Sequence, residues 1–246
     1  MAKRNLLDPR TVARDIPGLF DAVFPGLAPG VVAHCNALST RTPSGQVSNR
    51  LLQAAVLAPA MLFEMAAVRA DWLLLASDRT DDRDACKEIA WKRQSKFYDA
   101  NKPAVITDED WAAVECVSVS LYRALCVIGE ERGAHVTNSP RVPGCQWIES
   151  SVGDYAAGDC LVEVKCISGN FGAADYRQIL IYWMLSYVAS LEAGGVVWRT
   201  AVLLNPRKGL QVSIDFPEFL TIVGRGASHV ELAQRFLAIL GERLRG

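Results

Sequence analysis

The sequence predicts a mixed α/β (α+β) fold: a mixed sheet flanked by helices, with a helical N-terminal half. Three observations carry this. Residues 47–132 place apolar side chains at helical spacing with hardly a β-prone run among them. From Gly133 onward the texture changes to short β-prone runs separated by Gly- and Pro-containing turns. A long apolar helix then stands between two such runs, in the order β-β-α-β with an added hairpin strand.

The elements follow in chain order. A short helix is expected around Arg10–Val23, then a Gly/Pro-rich stretch Pro25–Gly30 and a polar loop Ser39–Gly45. Val47–Ala76 reads as mostly helix, kinked or split near Pro59, because proline removes a backbone donor and clashes with the preceding turn. Asp84–Asn101 is a charged amphipathic helix ended by Lys102-Pro103. Thr107 caps a third helix, with Asp110 at the capping-box position, running to about Arg132 before Gly133. Residues 134–145, with Pro140, Pro143 and Gly144, read as loop. Strands are expected at Gln146–Ser150, Val152–Ala157 and Cys160–Ile167, then a helix at Ala173–Ala193. Strands Val196–Leu204 and Leu210–Ile214 and a C-terminal helix Ser228–Leu244 complete the chain.

Composition narrows the function classes. The 246 residues carry 26 Lys+Arg against 27 Asp+Glu, half the chain is apolar, and 22% is charged. Disorder and a coiled coil are excluded, and so is a uniformly basic domain drawn to phosphate by net charge alone. The expected organisation is a helical region, 1–132, packing on a core, 133–246, as one compact unit. The apolar stretches Leu51–Met65 and Ile179–Leu191 fall short of a bilayer span, and the charged start Met1–Asp8 is unlike a signal peptide. No membrane association is expected. Seven cysteines without a CxxC pair and three histidines argue against a Cys/His zinc site and for reduced, buried thiols. The expected location is cytoplasmic.

The chemistry concentrates in Gly153-Asp154-Tyr155-Ala156-Ala157-Gly158-Asp159-Cys160-Leu161-Val162-Glu163-Val164-Lys165. Gly158-Asp159 between two β-prone runs signals a two-residue hairpin turn. That register sets Ala157 opposite Cys160 and Asp154 opposite Glu163, with facing Cβ atoms about 4.5–5.5 Å apart. Lys165 shares the face of Glu163, while Cys160, Val162, Val164 and Cys166 form an apolar opposite face. Facing carboxylates repel unless a cation lies between them, and hard oxygen donors suit Mg²⁺ or Mn²⁺. The plainer alternative, a solvated Glu-x-Lys salt-bridge ladder, stays open. On the following helix Gln178 and Tyr182 stand at i and i+4, a polar pair on a face expected to be buried.

This order, Asp154-(x8)-Glu163-x-Lys165 followed by Gln178-x-x-x-Tyr182, resembles the PD-(D/E)XK nuclease superfamily, in its RecB-type and lambda-exonuclease-like branch. The resemblance covers about residues 146–204 and implies a restriction-endonuclease-like fold. It implies that Asp154 and Glu163 ligate one or two Mg²⁺ (or Mn²⁺) and that Lys165 orients or deprotonates the attacking water. Gln178 and Tyr182 then support the site or contact the nucleic-acid backbone. The branch often carries a Gly-x-x-x-His or acidic helix start upstream; Gly45-x-x-x-Asn49 occupies a comparable place but ends in a weak ligand. Glu149 and Glu64 are spare carboxylates.

The expectation is therefore a Mg²⁺-dependent deoxyribonuclease acting in defence (antiviral) or DNA processing, with RNA left open as substrate. Lys165 can serve as a fixed cation at the developing phosphorane. Candidate nucleic-acid contacts are Lys92, Arg93 and Lys96, with Trp91 and Phe97 interleaved, and Arg177 near the helix start; a solvated helix face competes for the first three. Arg199, Arg207 and Lys208 form a smaller patch. A second reading is a catalytically degenerate nuclease fold serving as a nucleic-acid-binding or scaffolding subunit. A third is a nuclease silent until a partner protein or ligand assembles it; the partner expected beside DNA is a second protein or another copy of the chain.

Overall fold

In the computed structural model, residues 7–15, 18–95 and 102–243 are described. Helices α1 (Pro9–Asp15), α2 (Leu19–Val23) and α3 (Pro29–Ala37) lead into the two-residue strand β1 (Thr40–Arg41). Gly18, at φ +77°, is the N-cap of α2, so the helix expected at 10–23 is two. The Gly/Pro-rich stretch Pro25–Gly30 leads into α3, with Pro29 in the first turn, where its missing N–H costs nothing.

Helix α4 (Asn49–Ala54) and helix α5 (Pro59–Leu74) are the split pair expected around Pro59. Helix α6 (Arg83–Gln94) is capped by the Asp82 side chain. Helix α7 (Asp108–Arg132) carries the complete capping box of Thr107 and Asp110 and ends on Gly133 in the left-handed conformation. Asp110 does more than cap: its Oδ1 accepts from the N–H groups of Val56 and Leu57, tying the α4–α5 link to α7.

Six strands form one mixed sheet in the order β1-β8-β7-β6-β5-β2. These are β2 (Val136–Asn138), β5 (Tyr155–Ala157), β6 (Cys160–Val164), β7 (Thr200–Asn205) and β8 (Leu210–Asp215), with β1 at one edge. β6 and β7 run parallel, which requires the crossover helix α8 (Ala173–Ala193); the other neighbours are antiparallel. A separate ribbon pairs β3 (Arg141–Val142) with β4 (Ser151–Val152). Helices α9 (Phe216–Val223) and α10 (His229–Arg243) follow.

The sheet is covered on both faces. One face of β5 and β6 (Tyr155, Ala157, Cys160, Val162, Val164) packs on α7 and on Ala67 and Ala70 of α5. The other (Ala156, Leu161) joins α8, α1 and α2 in the largest core. The N-terminal residues thus supply a sheet edge, through β1, and a layer on each face.

Several expectations are corrected. Gln146–Ser150 is not a strand: Gln146 sits at φ +54° and Trp147 turns inward to donate its indole N–H to Leu240. Residues 134–145 are not all loop, because β2 lies there as a sheet edge and β3 as a short strand between Pro140 and Pro143. The strand expected from Val196 begins only at Thr200, where Cys160 first offers a partner. Helix α9 was unexpected, although Asp215 as N-cap and Pro217 in the first turn signal it. Of the cysteines, Cys86 and Cys160 are buried and Cys116 is exposed; all seven are free thiols. Helix α7 is long and apolar enough by length and composition to cross a bilayer. Just over half of its apolar window, 56%, is buried against α5 and the sheet, as in a core helix.

Candidate active site

The hairpin forms in the expected register. Gly158 takes φ +60° in the turn, and Ala157, Ala156 and Tyr155 face Cys160, Leu161 and Val162. The ladder stops there, so Asp154 and Glu163 are not a strand pair. Asp154 lies one residue before β5, with its carbonyl accepting from Ser139 N–H at 2.9 Å. Its carboxylate reaches across instead, and Oδ2 accepts from Val164 N–H at 2.8 Å.

Glu163 is 1% exposed, on a strand buried along its whole length. A solvated salt-bridge ladder is therefore not what forms here. Lys165 Nζ donates to Glu163 Oε1 at 2.9 Å and to Gln178 Oε1 at 2.8 Å. Gln178 Nε2 closes the triangle on Glu163 Oε1 at 2.5 Å and also reaches Tyr182 Oη at 3.0 Å. Asp175, one turn earlier on α8, stands 3.9 Å from Lys165. Glu163 Oε2 is buried and has no partner among the described residues. Burial, and then the nearby charge of Asp154, push the Glu163 carboxyl up to about 7, against the pull of Lys165.

The structure thus brings Asp154, Glu163, Lys165, Gln178 and Tyr182 together, and adds a residue the sequence did not signal. Arg10, on α1, donates from Nε to Tyr182 Oη at 3.0 Å and from Nη2 to the Val152 carbonyl at 3.2 Å. The same Nη2 is 3.6 Å from Asp154 Oδ1. Burial works against the Arg10 charge, but Tyr182, Asp154 and Glu163 overcome it and raise its pKa.

Asp154 and Arg10 line a cleft of about 220 Å³, open to solvent on one side. Glu64 of α5 lines it as well. Burial raises the Glu64 carboxyl; Arg93 opposes the shift and Asp154 adds to it. Of the two spare carboxylates, Glu64 is the one that shares the cleft with Asp154, where Asp71 also stands. Glu149 is exposed and lies outside the lining. Asn49 is exposed on α4, and the Gly45–Ser48 segment borders a different cavity, against α7.

Of the proposed nucleic-acid contacts, Arg93 lines the cleft, anchored by Asp71 Oδ2 at 2.7 Å. Lys92 is exposed and does not line it, because α6 turns only one of these neighbours toward α5. Lys96 lies outside the described residues. Arg177 is turned away from the cleft, its guanidinium 5.6 Å from the ring centre of Phe20 on α2. Among the described residues, no group of three or more His, Cys, Asp or Glu side chains is arranged to hold a metal ion. Asp154 and Glu163 are neighbouring carboxylates, and Glu64 and Asp71 line the cleft with Asp154; all are hard oxygen donors of the kind that suits Mg²⁺ or Mn²⁺. Set against protein-family models, curated proteins and solved structures, the chain has no match.

Proposed function

We propose that the protein is a metal-dependent nuclease of restriction-endonuclease-like fold that hydrolyses DNA phosphodiester bonds. The observation that carries this is the state of Glu163. It is a fully buried carboxylate, charge-coupled to Asp154, with one oxygen held by Lys165 and Gln178 and the other, Oε2, without a partner among the described residues. An orphaned buried carboxylate oxygen is costly, and a divalent cation is the natural group to satisfy it. Asp154 and Glu163 would hold Mg²⁺ or Mn²⁺, with Glu64 the further carboxylate of the cleft. Bound there, the ion supplies charge neutralisation at the phosphate and a lowered pKa for a water nucleophile.

The chain's own residues do the positioning. Lys165 is fixed by two acceptors, so its ammonium is a pre-organised cation for the charge that develops on phosphorus-bound oxygen. Gln178 holds both Glu163 and Lys165 and is itself steadied by Tyr182. Arg10 holds Tyr182 from the other side and presents a second fixed cation at the cleft.

The test is cleavage of labelled single- and double-stranded DNA with Mg²⁺ or Mn²⁺, comparing wild type with Asp154→Ala, Glu163→Ala and Lys165→Ala. Cleavage by wild type and its loss in all three variants is expected. Unchanged activity in the variants, or none in wild type, overturns the assignment. One observation favours a second reading, a degenerate nuclease fold acting as a nucleic-acid-binding subunit: Arg10 already brings a cation to Asp154. In that case calorimetric titration finds no Mn²⁺ binding.

A further inference from the structure

We propose that the cleft beside Asp154 is a binding site for one unpaired nucleotide, which makes single-stranded nucleic acid the substrate class. The inference rests on the nuclease reading for its place in a reaction, but its ligand is read from the cleft itself. The walls come from five separate segments: α1, α5, α6, residues 138–139 and residues 152–155. At about 220 Å³ it is a recess of nucleotide scale, far too small for a duplex.

Beside the carboxylates of Glu64 and Asp154, the cleft offers a partner for each part of a nucleotide. Arg93 is a cation built into place: Asp71 Oδ2 accepts from it at 2.7 Å, and Asp71 Oδ1 accepts from the buried Tyr155 hydroxyl at 2.9 Å. Burial lowers the guanidinium pKa, yet the bond to Asp71 and its charge outweigh burial and raise it. Asp71, although acidic, is thereby spoken for. Arg93 keeps N–H groups for a phosphate on one side of the cleft, and Arg10 supplies a second guanidinium at its other wall. Phe63 contributes an apolar aromatic wall, the element on which unpaired bases stack regardless of sequence. Asn138 and Ser139 add an amide and a hydroxyl for hydrogen bonds to the nucleotide.

Ser139 is also one of four described non-glycine residues with positive φ, at +50°. Its strained backbone is pinned by the bond from its N–H to the Asp154 carbonyl, so the cleft rim and the carboxylate are set by one contact. A base in the cleft places the adjoining phosphate toward Asp154.

The test is fluorescence anisotropy in EDTA, which separates binding from cleavage. The probes are a labelled unpaired oligonucleotide and a blunt hairpin duplex of the same length. Wild type is expected to bind the unpaired strand on the order of ten-fold more tightly than the duplex. Arg93→Gln should weaken it several-fold and lower the salt slope by about 0.7, the value for one phosphate contact on a single strand. Arg93→Lys keeps a charge for Asp71 and guards against misfolding, and Phe63→Leu keeps apolar volume while removing the ring; both should weaken the unpaired strand selectively. Equal or tighter duplex binding, no binding to either probe, or binding indifferent to Arg93 and Phe63 overturns the proposal. If the chain cuts DNA yet prefers duplex, this inference fails and the nuclease reading stands. If it binds unpaired strand through Arg93 but never cuts, the reverse holds.

Discussion

Gln178 and Glu163 are joined by a 2.5 Å hydrogen bond from the amide of a buried helix to a carboxylate on the central parallel strand pair. The same Glu163 oxygen accepts from Lys165, so the two donors converge on Oε1 and leave Oε2 bare. That asymmetry governs how the site responds to pH, to substitution and to metal.

Glu163 should couple stability to pH. Burial and Asp154 raise its carboxyl from an ordinary 4.5 to about 7 in the fold. The folded chain therefore holds a proton that the unfolded chain has lost between those values. Its contribution is fully present below the unfolded pKa and disappears as pH rises through the folded one. Melting in EDTA should show wild type losing stability relative to Glu163→Gln between about pH 5 and pH 8. Mn²⁺ must displace the same proton, so its affinity in calorimetry should climb through this window. A flat difference between the two proteins contradicts the assignment.

Gln178→Leu removes one donor to Glu163 and one acceptor of Lys165 in a buried setting. The cost should be about 1–3 kcal/mol in urea unfolding, because polar partners are left behind. Cleavage should fall through kcat more than KM, since Lys165 loses a fixed position while the cleft keeps its lining. Loss confined to KM would instead make Gln178 a substrate contact.

Tyr182→Phe deletes the one hydroxyl that links Arg10 to Gln178. Stability should drop by about 1 kcal/mol. Single-strand binding should weaken in parallel with Arg10→Gln, and the double variant should be little worse than either single one, because both break the same chain. Additive losses would show that the two act separately.

Gly209 and Gly133 offer a backbone test. Both have left-handed φ, +59° and +57°. A Cβ on Gly133 meets nothing within 4 Å, whereas on Gly209 it falls 2.1 Å from the Gly45 backbone. Gly133→Ala should cost about 1 kcal/mol and Gly209→Ala well over 2 kcal/mol, measured by urea denaturation. Equal costs would mean that the 45–47 segment is free to move off the β7–β8 turn.

The sequence by itself determined what is encoded within a few residues. The Gly158-Asp159 turn carries the hairpin register, the Thr107–Asp110 box and Gly133 bound α7, and Ala173–Ala193 is helical to the residue. The chain order of Asp154, Glu163, Lys165, Gln178 and Tyr182 was legible for the same reason: strand and helix periods place them on facing surfaces. Tertiary structure alone decided the rest. That Asp154 caps Val164 rather than facing Glu163 follows from where the strand bends toward Ser139. Arg10 meets Tyr182 across 172 residues of sequence because α1 packs on α8, and Glu64 and Arg93 reach the cleft because α5 covers the sheet and α6 packs on α5. Local rules fix turns, caps and periods; which distant side chains share a cleft is settled by the packing of apolar faces, and no short stretch of sequence records it.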